Sequence, residues 1–209
     1  MENATKALEI AGGVLISLLV IGVIVYFYNN LSSLKQTEEN SLAEQQATDF
    51  NKDYETYNRD DVYGSELLSL ANKMHDYNYK ESDNKGYEKI EMSAKFNDKT
   101  DIFKTYYGNK ATYTQDDLTT GYTNLANEIS TLSKKKVTAL GDGVTKTYSE
   151  WTKLSKTTLK STLSETDYNS ILHYQDLVSE QTDIARKTFK CTNVEYKNSR
   201  IIKMTFTEN

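Results

Sequence analysis

The sequence predicts an α+β protein in which a long N-terminal helix carries a polar head. Three observations lead to this prediction. Residues 10–28 form one apolar run without a charged side chain, and residues 31–57 keep apolar side chains at a helical spacing. The rest of the chain alternates capped helical patterns with short strand patterns. We therefore expect a head of several helices and a small antiparallel sheet that ends in a C-terminal hairpin.

The apolar run is long enough to cross a membrane as a helix. At a rise of about 1.5 Å per residue it covers roughly 28 Å, close to the roughly 30 Å of a bilayer's hydrocarbon core. A cleaved secretory signal is the competing interpretation, but such a signal needs a basic flank and a shorter apolar core. The flank here contains Glu2, Lys6 and Glu9. We therefore interpret residues 10–28 as a retained membrane helix.

The charges around the run predict how the chain lies across the membrane. Lys6 and the α-amino group precede the run, and Lys35 follows it. The short N-terminal flank is the easier one to leave in the cytoplasm, where positive charges accumulate. Tyr26 and Tyr28 end the run, as is typical of aromatic rings at a membrane interface. We expect a cytoplasmic N-terminus before assembly, with residues 30–209 on the extracellular side of the cell membrane.

Helical periodicity continues beyond the apolar run. No Gly or Pro interrupts residues 23–63, so the simplest interpretation is one helix from about residue 5 to about residue 58. The chain then divides into three segments. Residues 1–29 are the flank and the hydrophobic half of the helix, residues 30–59 its amphipathic half, and residues 60–209 the soluble head. The amphipathic half places apolar side chains close to every 3.6 residues, at Leu31, Leu34, Leu42, Ala47, Phe50, Tyr54 and Tyr57.

Three helices of the head are predicted from their caps and apolar stripes. The first begins at Ser65 as its N-cap and is followed by a polar loop over residues 76–85. The second opens at Thr114, which is followed by Asp117 in the spacing of a capping box. The third is capped by Ser164.

Three strand patterns supply the predicted sheet. Residues 87–96 alternate apolar and charged side chains in a roughly regular way. Residues 188–196 and 200–207 form two further strands, and the short connection at residues 197–199 makes them a hairpin. The long N-terminal helix is the natural cover for one face of this sheet.

Other stretches carry weaker patterns. Residues 97–113 are ambiguous. Asp142 between two glycines marks a turn and lacks the ligand spacing of a calcium loop. Residues 144–162 are either a weak helix around Trp151 and Leu154 or a long surface excursion.

Composition excludes several classes of protein. A net charge of −5 argues against a nucleic-acid binder, which would show a basic face. With one cysteine no intrachain disulfide can form, so stability must come from packing. Sixteen tyrosines are more than a core requires. They supply amphipathic contact area for an interaction surface, or they cover the small sheet.

Residues that could carry chemistry are few and scattered. His75 and His173 stand alone on predicted helices, and Cys191 lies in a predicted strand without a histidine nearby in sequence. The paired carboxylates at 60–61 and 116–117 lie where helix ends and first turns favour acids. We predict no catalytic residue, metal ligand or cofactor, and therefore no enzymatic activity. An unrecognised cell-wall enzyme is the remaining alternative.

One acidic residue is distinguished by its position. Glu9 stands directly before the apolar run, within Thr-Lys-Ala-Leu-Glu-Ile-Ala-Gly-Gly-Val-Leu-Ile at residues 5–16. Together with the half-apolar, half-amphipathic helix, this pattern resembles the N-terminal part of type IV pilins and pilin-like proteins over residues 1–58. The resemblance implies that a leader ending at Ala4 is removed, so that Thr5 becomes the first residue.

The resemblance also implies how subunits assemble. In that family the glutamate pairs with the N-terminal amine of a neighbouring subunit and sets the stagger, because an unpaired carboxylate in an apolar environment is costly. We carry this role over to Glu9, with Lys6 at i,i+3 as the alternative partner. Gly12, Gly13 and Gly22 permit close approach between helices.

We therefore expect a structural subunit of an extracellular pilus-like filament, assembled through its hydrophobic helix with the polar head displayed outside. The alternative is a single-pass membrane-anchored ectodomain that binds a ligand, mediates adhesion or supports a secretion or conjugation machine. The expected partners are further copies of the chain, the membrane and an export or assembly machinery. Nucleic acid and small-molecule substrates are not expected.

Overall fold

Two helical stretches precede the head. This computed structural model describes residues 18–29, 44–81 and 88–209, and residues 18–29 and 44–55 are helical. The second stretch ends at residue 55, close to the predicted end. The predicted continuity of one helix through both stretches involves residues outside the described ranges.

The chain divides into two compact units, residues 1–50 and 51–209. The second unit mixes helices and strands, which confirms the predicted α+β class. Its helices after residue 55 are α1 Gly64–Lys80, α2 Asp101–Tyr107, α3 Gln115–Ser133, α4 Tyr148–Trp151, α5 Lys156–Thr162 and α6 Glu165–Arg186. Its strands are β1 Val62–Tyr63, β2 Glu91–Lys95, β3 Lys136–Thr138, β4 Thr145–Thr147, β5 Thr188–Lys197 and β6 Arg200–Glu208.

The main sheet has the strand order β1-β5-β6-β2 and is mixed. Strand β5 runs antiparallel to β1 and β6, whereas β2 runs parallel to β6, with Glu91 opposite Lys203 and Lys95 opposite Thr207. The prediction of an antiparallel sheet was therefore wrong for β2. A short turn forces β5 and β6 to be antiparallel, but a long helical crossover connects β2 to the hairpin and allows either direction.

The C-terminal hairpin is confirmed, and its turn is tighter than predicted. Asn198 and Ser199 form a two-residue loop with φ values of 49° and 64°. Two successive residues at positive φ are typical of a type I′ turn, whose twist matches that of the flanking strands. Asparagine tolerates this conformation better than most residues.

The starts of α3 and α6 are confirmed. Thr114 Oγ1 accepts a hydrogen bond from Asp117 N at 3.3 Å, and Asp117 Oδ2 accepts one from Thr114 N at 3.1 Å. Ser164 Oγ accepts a hydrogen bond from Asp167 N at 3.2 Å. These side chains satisfy amide groups that have no partner within the helix.

The predicted N-cap of α1 at Ser65 was wrong, because the helix begins two residues earlier. Tyr63 is the N-cap, since β1 pairs with β5 up to this residue, and Glu66 Oε2 accepts a hydrogen bond from Tyr63 N at 2.9 Å. Gly64 follows where α1 and α6 approach closely. A Cβ atom there would lie 1.8 Å from the Ile184 carbonyl oxygen, so the position requires glycine.

The polar loop predicted over residues 76–85 was wrong for its first half, because α1 continues to Lys80. Asn78 explains the extension. Its side-chain amide donates to the Ile90 carbonyl at 2.8 Å and accepts from the Ile90 amide at 2.9 Å. Asn78, a residue type typical of loops, thus connects α1 to Ile90, the residue directly before β2.

The two ambiguous stretches contain helices. Residues 97–113 include α2. Residues 144–162 contain β4, α4 and α5, so the surface excursion was wrong and a helix is confirmed at Trp151, although it ends there and does not include Leu154. Trp151 is buried, and its indole Nε1 donates to the Val137 carbonyl at 3.1 Å. This contact attaches α4 to the β3–β4 hairpin.

The second unit contains two groups of packed apolar side chains. One lies around the main sheet and includes an aromatic cluster whose neighbouring ring centroids are 4.6 to 5.5 Å apart. We call this the sheet core, with the aromatic residues Phe96, Phe103, Tyr107, Tyr113 and Phe189. The other is the Trp151 core, formed by Val137, Ala139, Tyr148, Trp151, Leu159, Leu163, Ile171 and Tyr174.

Candidate functional site

The predicted assembly residues fall mostly outside the described ranges. Lys6, Glu9, Gly12 and Gly13 all lie there, and their roles stay predictions. Gly22 lies in the helical stretch 18–29. Apart from the adjoining residues of the helix itself, no atom of the described residues lies within 4 Å of the position that a Cβ atom would take at Gly22.

The described part of the apolar run is exposed on every side. Its large side chains have exposed fractions from 44% at Val23 to 75% at Tyr28. Because consecutive helical residues differ by about 100° in direction, these side chains cover the whole circumference of the helix. They are Leu18, Leu19, Val20, Ile21, Val23, Ile24, Val25, Tyr26, Phe27 and Tyr28.

Exposed apolar surface of this extent is unusual for a soluble chain and marks a site of contact with protein or lipid. Tyr26 and Phe27 pack edge to face with ring centroids 6.0 Å apart. Within residues 18–29, 44–81 and 88–209, no helix combines the length and the apolar character needed to cross a membrane.

Asn51 connects helical residues 51–55 to the main sheet inside the second unit. Its amide donates to the Ser199 carbonyl at 2.7 Å and accepts from the Ile201 amide at 2.8 Å. One helical turn further, Tyr54 is buried, and this burial raises the pKa of Tyr54 to about 12. Residues 51–55 therefore contact the start of β6. That the long N-terminal helix covers one face of the sheet stays a prediction.

The histidines and the cysteine lie apart from one another in the fold. His75 Nδ1 lies 2.7 Å from Asp116 Oδ1, which pairs α1 with the first turn of α3. His173 is exposed on α6. Cys191 is buried in β5, and burial raises the pKa of its thiol. Such a thiol is a poor nucleophile at neutral pH.

The paired carboxylates take part in local contacts. Asp60 Oδ2 lies 2.8 Å from Lys190 Nζ, and Asp61 Oδ1 lies 3.0 Å from Arg59 Nε. Asp142 Oδ1 accepts a hydrogen bond from the Val144 amide at 3.0 Å and so closes its own turn. Across the described part of the chain, no three His, Cys, Asp or Glu side chains come together as metal ligands.

The tyrosines are divided between core and surface. Five are buried in the second unit, namely Tyr54, Tyr107, Tyr113, Tyr148 and Tyr174. Others expose half or more of their side chains, namely Tyr26, Tyr28, Tyr63, Tyr79 and Tyr196. Burial therefore accounts for part of the tyrosine excess, and a role of the exposed tyrosines in an interaction surface stays a prediction.

Sequence reasoning missed an open groove of about 460 Å³ between α3, α4 and α6. The groove reaches the Trp151 core at Tyr148, whose amide donates to the Lys135 carbonyl at 2.9 Å. Its lining consists of Glu128, Leu132, Lys135, Tyr148, Thr166, Asn169, Ser170 and His173. No sequence motif marks these residues, although four of them share one face of α6.

Comparison of the chain with protein-family models, with curated proteins and with solved structures finds no match. The class of this protein must therefore be argued from its own residues, which define an α+β head preceded by an exposed apolar helix.

Proposed function

We propose that this protein is a non-enzymatic structural subunit of an extracellular, pilus-like filament. The observation that carries the proposal is the exposed apolar surface of residues 18–28. Removing one such side chain from water stabilises an assembly by about 1.5–3 kcal/mol, so a helix with apolar side chains on every side favours lipid or neighbouring helices. In the filament, helices of further subunits replace the membrane around this surface.

Residues near the apolar run would set how subunits pack. Gly22 supports close approach, because it places no side chain on the helix surface. In our proposal Gly12 and Gly13 act in the same way. Glu9 heads the run in sequence and pairs with the α-amine of a neighbouring subunit or with Lys6, since a carboxylate among apolar side chains needs a cationic partner.

The head supports a role in display at the cell surface. Its two cores are buried without a contribution from a disulfide, because Cys191 is free. In the proposal the N-terminus faces the cytoplasm before assembly, and an export machinery moves the subunit from the membrane into the filament. The partners are then other copies of the chain, and the head is available for adhesion.

A single-pass membrane-anchored ectodomain is the second candidate. It is favoured by Tyr26 and Tyr28, which end the apolar run with exposed rings. Tyrosine at such a position is typical of the membrane–water interface. In this candidate the helix stays in lipid and the head acts as a binding or supporting domain.

Electron microscopy of material sheared from producing cells distinguishes the two candidates. The sample is labelled with an antibody to residues 60–209. Thin, regular filaments that carry the antibody are expected for a filament subunit. Label that stays in the membrane fraction, with nothing released by shear, contradicts the filament and supports the anchored ectodomain.

The variant Glu9→Ala tests the assembly role directly. We expect the protein to reach the membrane in normal amount while sheared filaments fall at least about tenfold, since each lost charge pair weakens one subunit contact by more than about 1.4 kcal/mol. Immunoblots of membrane and sheared fractions measure both quantities. Glu2→Ala, which precedes the predicted cleavage point, is the matched control. Unchanged filament yield in Glu9→Ala would remove Glu9 from the assembly contact.

A further inference from the structure

We propose that the tip of the β3–β4 hairpin docks on the surface of an anionic lipid bilayer. The inference rests on the membrane location in the proposed function, which both candidates share before any assembly. Three observations carry it: two exposed aliphatic side chains at the tip, a surrounding group of lysines without acidic partners, and a backbone contact that places the end of α5 beside the tip.

The hairpin tip exposes two aliphatic side chains. Leu140 is 62% exposed and Val144 is 40% exposed, on either side of the turn at residues 141–143. The Ala139 amide donates to the Val144 carbonyl at 2.8 Å, so the hairpin holds both residues at its end. Outside residues 18–28, no other described Leu, Ile, Val or Met is exposed to this extent. Neighbouring exposed apolar side chains mark a site of contact with protein or lipid.

The lysines around the tip lack acidic partners. Residues 134–160 contain seven lysines and two carboxylates, a net charge of +5 in a chain whose net charge is −5. None of the seven forms an ion pair with a described residue, whereas seven described lysines outside this stretch do. The dipole of α3 explains cations directly after its end. It does not explain the four that follow, namely Lys146, Lys153, Lys156 and Lys160.

Strand β3 places one lysine on the same face as the leucine of the tip. Val137 and Ala139 are buried in the Trp151 core, whereas residues 136, 138 and 140 are exposed. Because side chains alternate along a strand, Lys136 and Leu140 lie on the same, solvent-exposed side. The outer face of the hairpin thus presents an ammonium group together with an aliphatic side chain.

Helix α5 places further lysines beside the tip. The Leu140 amide donates to the Thr162 carbonyl at 2.8 Å, so the last turn of α5 lies next to Leu140. Lys160 belongs to that last turn. Lys156 precedes it at the spacing i, i+4, and both lysines are exposed on one face of the helix.

This combination fits an anionic bilayer better than a soluble polyanion. Anionic headgroups attract lysines, whose long stems leave the ammonium groups at the headgroups while neighbouring aliphatic side chains enter the apolar layer. A soluble polyanion would bind the same lysines but leave Leu140 and Val144 in water. Asp142 opposes docking, because its carboxylate lies at the tip, where Oδ1 accepts a hydrogen bond from the Val144 amide at 3.0 Å.

Fluorescence quenching by lipids tests the docking with the full-length protein in reconstituted vesicles. A fluorophore is attached at Ser161→Cys, beside the tip, in a Cys191→Ser background, and the lipids carry a nitroxide quencher at the headgroup. We expect at least about threefold stronger quenching in vesicles with about one-third phosphatidylglycerol than in phosphatidylcholine alone. About 0.5 M sodium chloride should remove most of this difference.

Variants separate the contributions of charge and of the apolar tip. The triple variant Lys136→Gln, Lys156→Gln, Lys160→Gln should return the quenching in anionic vesicles to the level in phosphatidylcholine. Leu140→Ser should do the same while every lysine stays in place. Asp142→Asn should increase the quenching, because it removes the repelled carboxylate.

Two controls match these measurements. The triple variant Lys52→Gln, Lys89→Gln, Lys95→Gln removes the same charge from exposed lysines that form no ion pair with a described residue, and it should leave the quenching unchanged. A fluorophore at Ala111→Cys, an exposed position outside the Trp151 core, should be quenched equally weakly in both lipids.

Equal quenching at Ser161→Cys in the two lipids overturns the proposal, as does an equal response at Ala111→Cys or an equal loss in the control triple variant. Salt-sensitive self-association in detergent that the lysine variant abolishes, without quenching in vesicles, would replace lipid by a second copy as the partner. Flotation in phosphatidylcholine measures anchoring separately. Protein that does not float contradicts the membrane location and the docking, whereas protein that floats without quenching contradicts the docking alone.

Discussion

The sheet core and the Trp151 core satisfy their polar groups in different ways. At the sheet, side-chain amides from helices bind the backbone at strand ends. Asn51 binds the carbonyl of Ser199 in the turn and the amide of Ile201 in β6, and Asn78 binds both polar groups of Ile90 ahead of β2. Gln115 Oε1 accepts from the Met92 amide at 2.9 Å on the same strand. In the Trp151 core, the indole of Trp151 binds a backbone carbonyl. Each core also holds one buried tyrosine hydroxyl without a partner among the described residues, that of Tyr107 in the sheet core and that of Tyr148 in the Trp151 core.

This difference reflects how each region is connected. In the Trp151 core, β3 and β4 are joined by a short turn, so local chain geometry positions them. In the sheet core, β2 and β6 are far apart in sequence, so no short turn fixes which residues of the two strands lie opposite each other. Each amide therefore takes the place of a missing strand neighbour, because an unpaired buried peptide group is costly. Apolar packing alone would leave the position of these strands along the sheet less well specified.

Trp151→Ala is expected to have the largest effect. Loss of a buried indole costs about 3–5 kcal/mol in unfolding free energy, because a cavity forms and the Val137 carbonyl loses its donor. Hydrogen exchange should show lost protection first in residues 136–163, with β5 and β6 affected less. Trp151→Phe, which fills most of the volume, is the control. Equal loss of protection across the whole head would contradict the separation into two cores.

Asn78→Ala should have an intermediate effect, localised at the other core. Both polar groups of Ile90 lose their partner, so we expect a loss of about 1–3 kcal/mol, measured by urea unfolding. Asn72→Ala is the matched control, because Asn72 is exposed on the same helix and its loss should cost less than about 0.5 kcal/mol. Equal destabilisation by the two variants would contradict a specific contribution of the contact between Asn78 and Ile90.

Glu66→Gln tests the smallest effect, at the start of α1 outside both cores. Arg59 Nη2 donates to the Glu66 carboxylate oxygens at 2.6 and 2.5 Å. This hydrogen bond, followed by the one from Tyr63 N, lowers the pKa of the Glu66 carboxyl below its usual value. The resulting stability is present above the ordinary glutamate pKa of about 4.3 and is lost as the pH falls through the lowered value.

The expected loss in Glu66→Gln at pH 7 is below about 1 kcal/mol, because the side chain is more than one-third exposed. Urea unfolding between pH 2 and pH 7 measures it, and the variant should show a shallower loss of stability in acid. Glu91→Gln, at an exposed position of β2, is the control. A pH dependence identical to that of the unmodified protein would show that the Arg59 pair contributes nothing.

Local sequence signals correctly predicted several elements. Thr114 and Ser164 were recognised as N-caps because a hydroxyl three residues before an acid is a short-range pattern. The C-terminal hairpin was recognised because the connection between its strands is short. The start of α1 was misplaced by two residues, because β1 pairs with a strand that lies more than a hundred residues later in the chain. The groove between α3, α4 and α6 was not predicted for the same reason, because its walls come from helices that are separate in sequence.

What can be derived from the sequence alone is therefore whatever depends on neighbours along the chain: the apolar run, the caps at Thr114 and Ser164, the C-terminal hairpin and the α+β class. The parallel pairing of β2 with β6, the amide contacts of Asn51 and Asn78, and the position of Tyr148 beside α6 depend on residues that meet only after folding. The physical reason is that a hydrogen bond or a packed surface has no signature in sequence when its two halves lie on distant segments. The buried N–H and C=O groups at these strand ends need hydrogen-bond partners, and the packing of the helices decides which side chains supply them.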